Sequence, residues 1–148
     1  MIATTNFHTY TNKAAIETAN LALRMALLIN GGAAVSVLAF IGGLASKERF
    51  DVHQLAPVSA SLVLFAWGVA AATLALALSY FTNYFMAGIA SSKKKIFEHP
   101  YLENTPRTNV MWWLNVISHI AAVIAGLGSI ICFIIGMLGV RSAITHLM

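Results

Sequence analysis

Hydrophobic residues are concentrated in three long stretches of the chain, at residues 25–44, 58–79 and 114–140. Each stretch has at least 20 residues, the length that an α-helix needs to cross a bilayer. The polar segments between them, residues 46–56 and 97–109, are short enough to join antiparallel neighbours. The pattern predicts an all-α polytopic membrane protein, in which residues 1–148 form one membrane domain and three transmembrane helices form an antiparallel bundle.

The first helix is predicted to begin before the hydrocarbon and to extend into the cytoplasm. Four polar residues with spacings of 4, 3 and 4 lie in one stripe of a helix; they are Lys13, Glu17, Asn20 and Arg24. Gly31 and Gly42 continue this stripe within the apolar stretch. A helix that starts near Lys13 has about three turns outside the lipid. Residues 1–12, which carry no charged side chain, are expected to be a tail or a lead-in to the helix.

A cleaved signal peptide is the alternative for the amino-terminal region. Gly43 and Ala45 are small residues at which a signal peptidase could cut. However, 24 residues precede the apolar stretch, which is itself 20 residues long, and both lengths favour a retained span.

Prolines, aromatic residues and cations mark the ends of the other two helices. Pro57 suits the first position of the second helix, which is predicted to continue past the membrane towards a group of lysines. Pro106 opens the third helix, and Trp112 and Trp113 follow it as an interfacial belt. The aromatic residues that precede the lysines in the second helix are Tyr80, Phe81, Tyr84 and Phe85.

Composition supports the membrane class and limits the chemistry. The chain is 59% hydrophobic and 9% charged, with a net charge of +4, which excludes an ordinary soluble domain. None of its five acidic residues falls within an apolar stretch, which argues against an intramembrane carboxylate that carries protons or cations. We expect contact with lipid headgroups rather than nucleic acid for the one basic cluster, Lys93, Lys94 and Lys95. Cys132 is the single cysteine and allows no intramolecular disulfide.

The distribution of cations predicts the topology. With three spans, the amino terminus and the 97–109 loop share one side of the membrane. That side carries six cations: Lys13, Arg24, Lys93, Lys94, Lys95 and Arg107. The opposite side carries Lys47, Arg49 and Arg141. Positive-inside reasoning therefore places the amino terminus in the cytoplasm and the carboxyl terminus outside.

Each span has one stripe of small or polar residues, whereas bulky apolar residues occupy most of the remaining surface. On the second helix the stripe is Ser61, Gly68, Ala72, Ala75, Ser79, Thr82 and Asn83. On the third helix it is Asn115, Ser118, His119, Ala122, Gly126 and Ser129. Such faces are expected to pack against each other. The glycines predicted to pack helices together are Gly31, Gly42, Gly68, Gly126 and Gly136.

A polar cluster is expected at the inner end of the bundle, because several polar residues have similar predicted depths. They are Asn20, Arg24, Thr82, Asn83, Asn115, Ser118 and His119. One interpretation is a pocket or pore vestibule in which Arg24 favours anions or headgroup phosphates. The other is that Arg24 extends to the interface and the remaining side chains form hydrogen bonds between helices.

Enzymatic and cofactor chemistry find little support in the sequence. The chain has the length and span number of the three-span cytochrome b anchor subunits of succinate dehydrogenase and fumarate reductase, but Ser118 and His119 lack the surrounding signatures. His119 is alone within a span, so haem ligation would need a second chain.

Arg141 and His146 have an R-x4-H spacing found in some ribonucleases, here in a short tail. No nucleotide-binding, zinc-protease or serine-hydrolase motif occurs. We expect no enzyme, cofactor or metal.

The segment ALRMALLINGGAAVSVLAFIG, residues 22–42, resembles the first span of small bacterial membrane proteins that are largely uncharacterised. A fainter similarity covers the Phe65 to Tyr84 region. The resemblance implies a bacterial inner (plasma) membrane and carries no activity.

Two functional hypotheses follow from these observations. The first is a self-associating protein that forms or gates a passage through the bilayer, for example a toxin-like or defence effector; three spans enclose little interior, and the small faces offer surfaces for a homo-oligomer. The second is a non-catalytic accessory subunit whose same faces contact other membrane subunits.

Overall fold

A computed structural model describes the backbone of residues 2–45, 56–95 and 102–147, and the side chains of residues 13–43, 58–94 and 103–145. The described chain forms three long helices and two very short strands. Helix α1 is Ile2–Ala45, α2 is Ala56–Ser92 and α3 is Pro106–Leu147. Between α2 and α3, strand β1 (Lys94–Lys95) pairs antiparallel with strand β2 (Leu102–Glu103).

The all-α class is confirmed, with three helices that are long and apolar enough to cross a membrane. Three segments are long and apolar enough to cross a membrane: Lys13–Gly43, Val58–Ser92 and Pro106–Thr145. The helices have 44, 37 and 42 residues. At 1.5 Å per residue each is longer than about 50 Å, whereas the hydrocarbon is about 30 Å thick. Each helix therefore continues beyond the length that lipid requires.

Helix boundaries agree with the proline pattern and extend two of the predictions. Helix α1 begins at Ile2, so the described part of the amino-terminal segment is a helical lead-in rather than a tail. Helix α2 continues to Ser92, as its sequence predicted. Helix α3 begins at Pro106, so the last four residues of the 97–109 segment are helical and not loop. Residues 46–55 and 97–101 of the predicted loops lie outside the described residues.

Hydroxyl groups within the helices donate hydrogen bonds to backbone carbonyls of the same helix. Ser36 Oγ, Thr73 Oγ1 and Thr82 Oγ1 each donate to the carbonyl oxygen four residues earlier, at 2.8 to 2.9 Å. This bond removes the need for an outside partner, which lipid could not provide. These residues are therefore compatible with apolar surroundings.

The chain divides into two compact units. Unit 1 is Met1–Thr73 with Gly126–Met148, and unit 2 is Leu74–Ala125. The apolar core of unit 1 consists of Val37, Val58, Phe65 and Ala143. Phe65 packs on Phe133 with ring centroids 6.0 Å apart.

Unit 2 contains two helical segments, with the paired strands β1 and β2 between them in the chain. Three contacts give its register: Thr82 with Asn115, Gly88 with Met111, and Ser92 with Thr108. Positions along α3 decrease as positions along α2 increase, so the two segments are antiparallel.

Many bulky apolar side chains are exposed, the reverse of a soluble protein. Leu28, Trp67 and Ile124 are each 65% exposed, whereas Ala72 and Ala75 are fully buried. An apolar surface of this extent has no stable position in water. Together with the three apolar helices, it indicates a membrane protein.

Candidate functional site

The largest fully buried polar side chain among the described residues is Asn30, in the middle of the first span. It is 1% exposed. Its Nδ2 donates to the Ala26 carbonyl oxygen at 3.0 Å, one turn earlier on α1. It also approaches Ser129 of α3, with 3.1 Å to Oγ and 3.3 Å to the carbonyl oxygen. Since the amide has two hydrogens and three acceptors, at least one hydrogen is shared.

The carbonyl side of the Asn30 amide faces α2. Its Oδ1 is buried without a hydrogen-bond partner among the described residues. A Cβ built on Gly68 would overlap this oxygen, so a Cα–H bond of Gly68 points towards Oδ1. Such a C–H group is a weak donor. Asn30 thus touches α2 and α3 from α1, and only glycine fits opposite its oxygen.

Glycines allow close approach at three other places in unit 1. A Cβ on Gly126 would lie 3.0 Å from Leu23 Cδ2, and one on Gly136 would lie 2.7 Å from Phe65 Cε1. A Cβ on Gly139 would meet the Ser61 hydroxyl. Side chains of neighbouring helices fill these positions, as expected for small-residue faces in membranes.

The predicted packing glycines therefore differ in their surroundings. Gly68, Gly126 and Gly136 face side chains closely, and Gly31 is 4.0 Å from Val69 Cγ2 when a Cβ is added. Among the described residues, nothing beyond the neighbouring backbone of α1 lies within 4 Å of a Cβ built on Gly42.

Within unit 1, the predicted polar cluster contributes Asn20, which is half-buried, and Arg24, which is exposed. Among the described residues, the guanidinium of Arg24 forms no ion pair; the one pair within 4.0 Å joins Lys13 to Glu17. Arg24 does not lie on the least exposed face of α1, which passes through Asn30 and Val37.

Within unit 2, the structure brings together two members of the predicted cluster. Asn115 Nδ2 donates to the Thr82 carbonyl oxygen at 2.7 Å and links α3 to α2. Asn83 is half-buried, Ser118 is buried and His119 is exposed. His119 therefore departs from the stripe that Ser118 shares with Ala122.

Lys93 and Lys94 are exposed at the end of α2, and the side chain of Lys95 lies outside the described residues. Beside them, Ser92, Thr105 and Thr108 form a hydroxyl cluster. Thr108 is 4% exposed, and its Oγ1 is 2.9 Å from Ser92 Oγ and 3.0 Å from Thr105 Oγ1. Thr105 Oγ1 also donates to the Ser92 carbonyl oxygen at 3.0 Å.

The hydroxyl cluster caps two helices at once. Thr105 precedes Pro106 and accepts the Thr108 N–H at 3.3 Å, while Thr108 Oγ1 accepts the Thr105 N–H at 3.2 Å. This is the reciprocal arrangement of a capping box, with threonine in place of the usual Glu or Gln. The Ser92 carbonyl is one of the last of α2 and is satisfied by Thr105.

Sequence reasoning did not single out Asn30 as a site residue, although it stands in the first span. The available signal was an amide side chain inside an apolar stretch, directly before Gly31 and Gly32. The hydroxyl cluster was also missed. Its signal was the Thr-Pro-Arg-Thr sequence at residues 105–108, which has the spacing of a capping box.

The chemistry available at these positions is hydrogen bonding. Among the described residues, no group of three His, Cys, Asp or Glu side chains could hold a metal ion. Asn30, Ser129 and Gly68 carry no charge, so their arrangement can hold three helices in register. No family model, curated protein or solved structure matches the chain significantly. The resemblance of residues 22–42 to small bacterial membrane proteins is neither supported nor contradicted by these comparisons.

Proposed function

We propose that this protein is a non-enzymatic protein of the bacterial inner membrane that self-associates and forms or gates a passage through the bilayer. Its three spans form an antiparallel bundle, with the amino terminus in the cytoplasm and the carboxyl terminus outside. The observation that carries the proposal is a stripe of small residues that α1 leaves exposed. This association stripe consists of Gly32, Ser36, Ala39 and Gly43.

The association stripe has the spacing and the free space that contact between helices requires. Its members are 4, 3 and 4 residues apart, so they lie on one face of α1. Among the described residues, nothing beyond the neighbouring backbone of α1 lies within 4 Å of a Cβ built on Gly32. Ser36 Oγ is satisfied by the Gly32 carbonyl at 2.8 Å and adds little width. Small-xxx-small faces of this kind allow two transmembrane backbones to approach closely.

A passage between copies agrees with the packing within one copy. In unit 1, Gly68 and Gly136 lie directly against Asn30 and Phe65. This packing fills the positions where the helices meet and supports a passage formed by several chains.

Arg24 supplies charge at one end of such a passage. It lies about 80° around α1 from Gly32, at 100° per residue. Its own face continues through Leu28, Val35 and Leu38, all of which are exposed. A passage lined by this face has an apolar constriction that gates by dewetting and a cationic mouth that favours anions.

Native mass spectrometry of the detergent-extracted protein tests self-association. We expect a homo-oligomer that dissociates in Gly32→Val and Ser36→Val. Gly128→Val is the matched control, because Gly128 also has open space but lies on α3. A monomer in the parent protein would overturn the proposal. Co-purification of foreign membrane subunits without a homo-oligomer would favour the accessory-subunit hypothesis instead.

A flux assay in proteoliposomes tests the passage itself. We expect collapse of an imposed membrane potential with the parent protein and with Arg24→Lys, and its loss in Arg24→Leu. Arg141→Leu is the control, since Arg141 is an exposed arginine near the other end of the third span. An intact potential at verified oligomer levels would reject the passage and retain the oligomer.

A further inference from the structure

We propose that the α2–α3 turn of unit 2 is a docking surface for anionic phospholipid headgroups, so that acidic lipids are enriched around it. This headgroup surface consists of Lys93, Lys94 and Arg107. The proposal requires insertion in a bilayer, but it requires neither self-association nor a passage.

The turn holds cations from two helices together. Lys93 and Lys94 follow the end of α2, and Arg107 lies in the first turn of α3. All three side chains are exposed. The hydrogen bonds from Thr105 and Thr108 to Ser92 tie the two helix ends to each other. These hydrogen bonds hold the backbone positions of the three cationic residues close to each other.

The positive charge of the headgroup surface is only partly balanced. Glu103 is opposite Lys94 in the β1–β2 pair and is exposed. Among the described residues, no carboxylate lies within ion-pair distance of Lys93, Lys94 or Arg107. Three cations and one carboxylate thus give the described part of the turn a net positive charge, which complements an anionic lipid surface.

Exposed aromatic residues indicate the depth of the headgroup surface relative to the membrane interface. Tyr84 lies eight residues before the end of α2 and is 58% exposed, and Trp113 lies seven residues after the start of α3 and is 60% exposed. Both are therefore about 10 to 12 Å from the turn along their helices. Exposed Tyr and Trp side chains occupy the membrane interface. The cations beyond them then lie at the level of the headgroup phosphates.

Tryptophan quenching by brominated lipid tests the proposal. The chain has three tryptophans, so Trp67→Phe leaves only Trp112 and Trp113, beside the turn. The Trp67→Phe variant is reconstituted in equimolar phosphatidylcholine and phosphatidylglycerol. One of the two lipids carries bromine on its acyl chain, near the headgroup. We expect quenching by the acidic lipid to exceed quenching by the neutral lipid about twofold or more.

Removing the positive charges of the headgroup surface should abolish the difference in quenching between the acidic and the neutral lipid. In the same background, Lys93→Gln, Lys94→Gln and Arg107→Gln together should equalise the two lipids, whereas Arg141→Gln should not. High salt should also equalise them, because the screening length falls from about 8 Å at 0.15 M to about 3 Å at 1 M. The summed quenching by the two lipids serves as the folding control, since it should stay at the parent level in every variant. Where the acidic lipid loses its enrichment, the neutral lipid takes its place, so quenching by the neutral lipid rises as quenching by the acidic lipid falls. Equal quenching by both lipids in the parent protein would overturn the proposal.

Discussion

Asn30 on α1 donates from Nδ2 towards both oxygen atoms of Ser129 on α3, the hydroxyl at 3.1 Å and the carbonyl at 3.3 Å. The two residues are 99 positions apart in the chain. Hydrogen bonds within membranes contribute on the order of 0.6 kcal/mol on average. The Asn30 side chain also has a structural role beyond this energy. The same amide faces Gly68 of α2, so its contacts set the register of three helices.

Replacing Asn30 with aspartate should be more harmful than replacing it with leucine. Aspartate has no donor for the Ala26 and Ser129 carbonyls, and it places a carboxylate beside these two carbonyl oxygens. We expect Asn30→Asp to lower the free energy of unfolding by about 3 kcal/mol or more. Asn30→Leu keeps the volume and loses the bonds, so we expect a decrease of about 1 to 2 kcal/mol.

Unfolding of the purified protein by SDS in mixed micelles measures this difference. Asn109→Asp is the matched control, because Asn109 is exposed near the start of α3 and should tolerate the same change. Equal stability of Asn30→Asp and the parent protein would show that the Asn30 hydrogen bonds do not form.

Gly68 and Asn30 should behave as a coupled pair. A methyl group on Gly68 would overlap Asn30 Oδ1, so Gly68→Ala must displace the amide from Ser129 or separate the helices. We expect a loss of about 1 to 3 kcal/mol. The second substitution, Asn30→Ala, removes the overlapping atoms.

A double-mutant cycle in SDS titration measures the coupling. Gly68→Ala should be less harmful in the Asn30→Ala background by about 1 kcal/mol or more. Gly128→Ala is the control, because among the described residues Gly128 has open space around it and lies outside the association stripe; it should remain near the parent stability. Additive effects of the two substitutions would contradict the close approach.

Properties set by the local sequence were predictable. The bilayer requires long apolar runs, so the three spans could be identified from residue counts alone. The start of α3 followed from Pro106, whose fixed φ suits a first helical position. The extension of α2 to Ser92 followed from the absence of a strong breaker.

The inward face of α1 could not be obtained in the same way. Angular counting grouped Arg24 with Lys13 and Glu17, but water satisfies charges at the end of a span without any helix contact. The face that turns inward passes through Asn30, whose partner Ser129 is on another helix. That pairing depends on the register between helices, and local periodicity carries no information about it.

The hydroxyl cluster should control opening of the α2–α3 turn. Thr108→Val keeps the shape but removes the acceptor of the Thr105 N–H and the partner of the Ser92 hydroxyl. We expect a loss of about 1 to 2 kcal/mol, the usual range for a lost helix cap. The first turn of α3 should then open more often.

Limited trypsin digestion followed by mass spectrometry reports this opening, because the bond after Arg107 lies within the capped turn. Cleavage there should be faster in Thr108→Val. Thr145→Val is the control, since the Thr145 hydroxyl is exposed and its hydrogen bond within the described part of the chain goes to the Ser142 carbonyl, at 2.8 Å. An unchanged rate of cleavage after Arg107 would show that the cluster does not stabilise the turn.

Two glycines at which an added Cβ would lie within 3 Å of a neighbouring side chain should respond differently to alanine. The atom nearest to a Cβ built on Gly88 is the sulfur of Met111, near the end of a flexible and half-buried side chain. At Gly136 it is the ring of Phe65, which is 1% exposed and packed on Phe133. Methionine can change rotamer to admit a methyl group, whereas a buried ring cannot move without disturbing its neighbours.

We therefore expect Gly136→Ala to lower the free energy of unfolding by about 2 kcal/mol and Gly88→Ala by less than about 1 kcal/mol. SDS titration of the two variants side by side gives the comparison. Phe65→Leu should reduce the effect of Gly136→Ala, because leucine lacks the ring atoms that meet the added methyl group. The reverse order of the two alanine variants would mean that ring rigidity does not determine which close contact tolerates a methyl group.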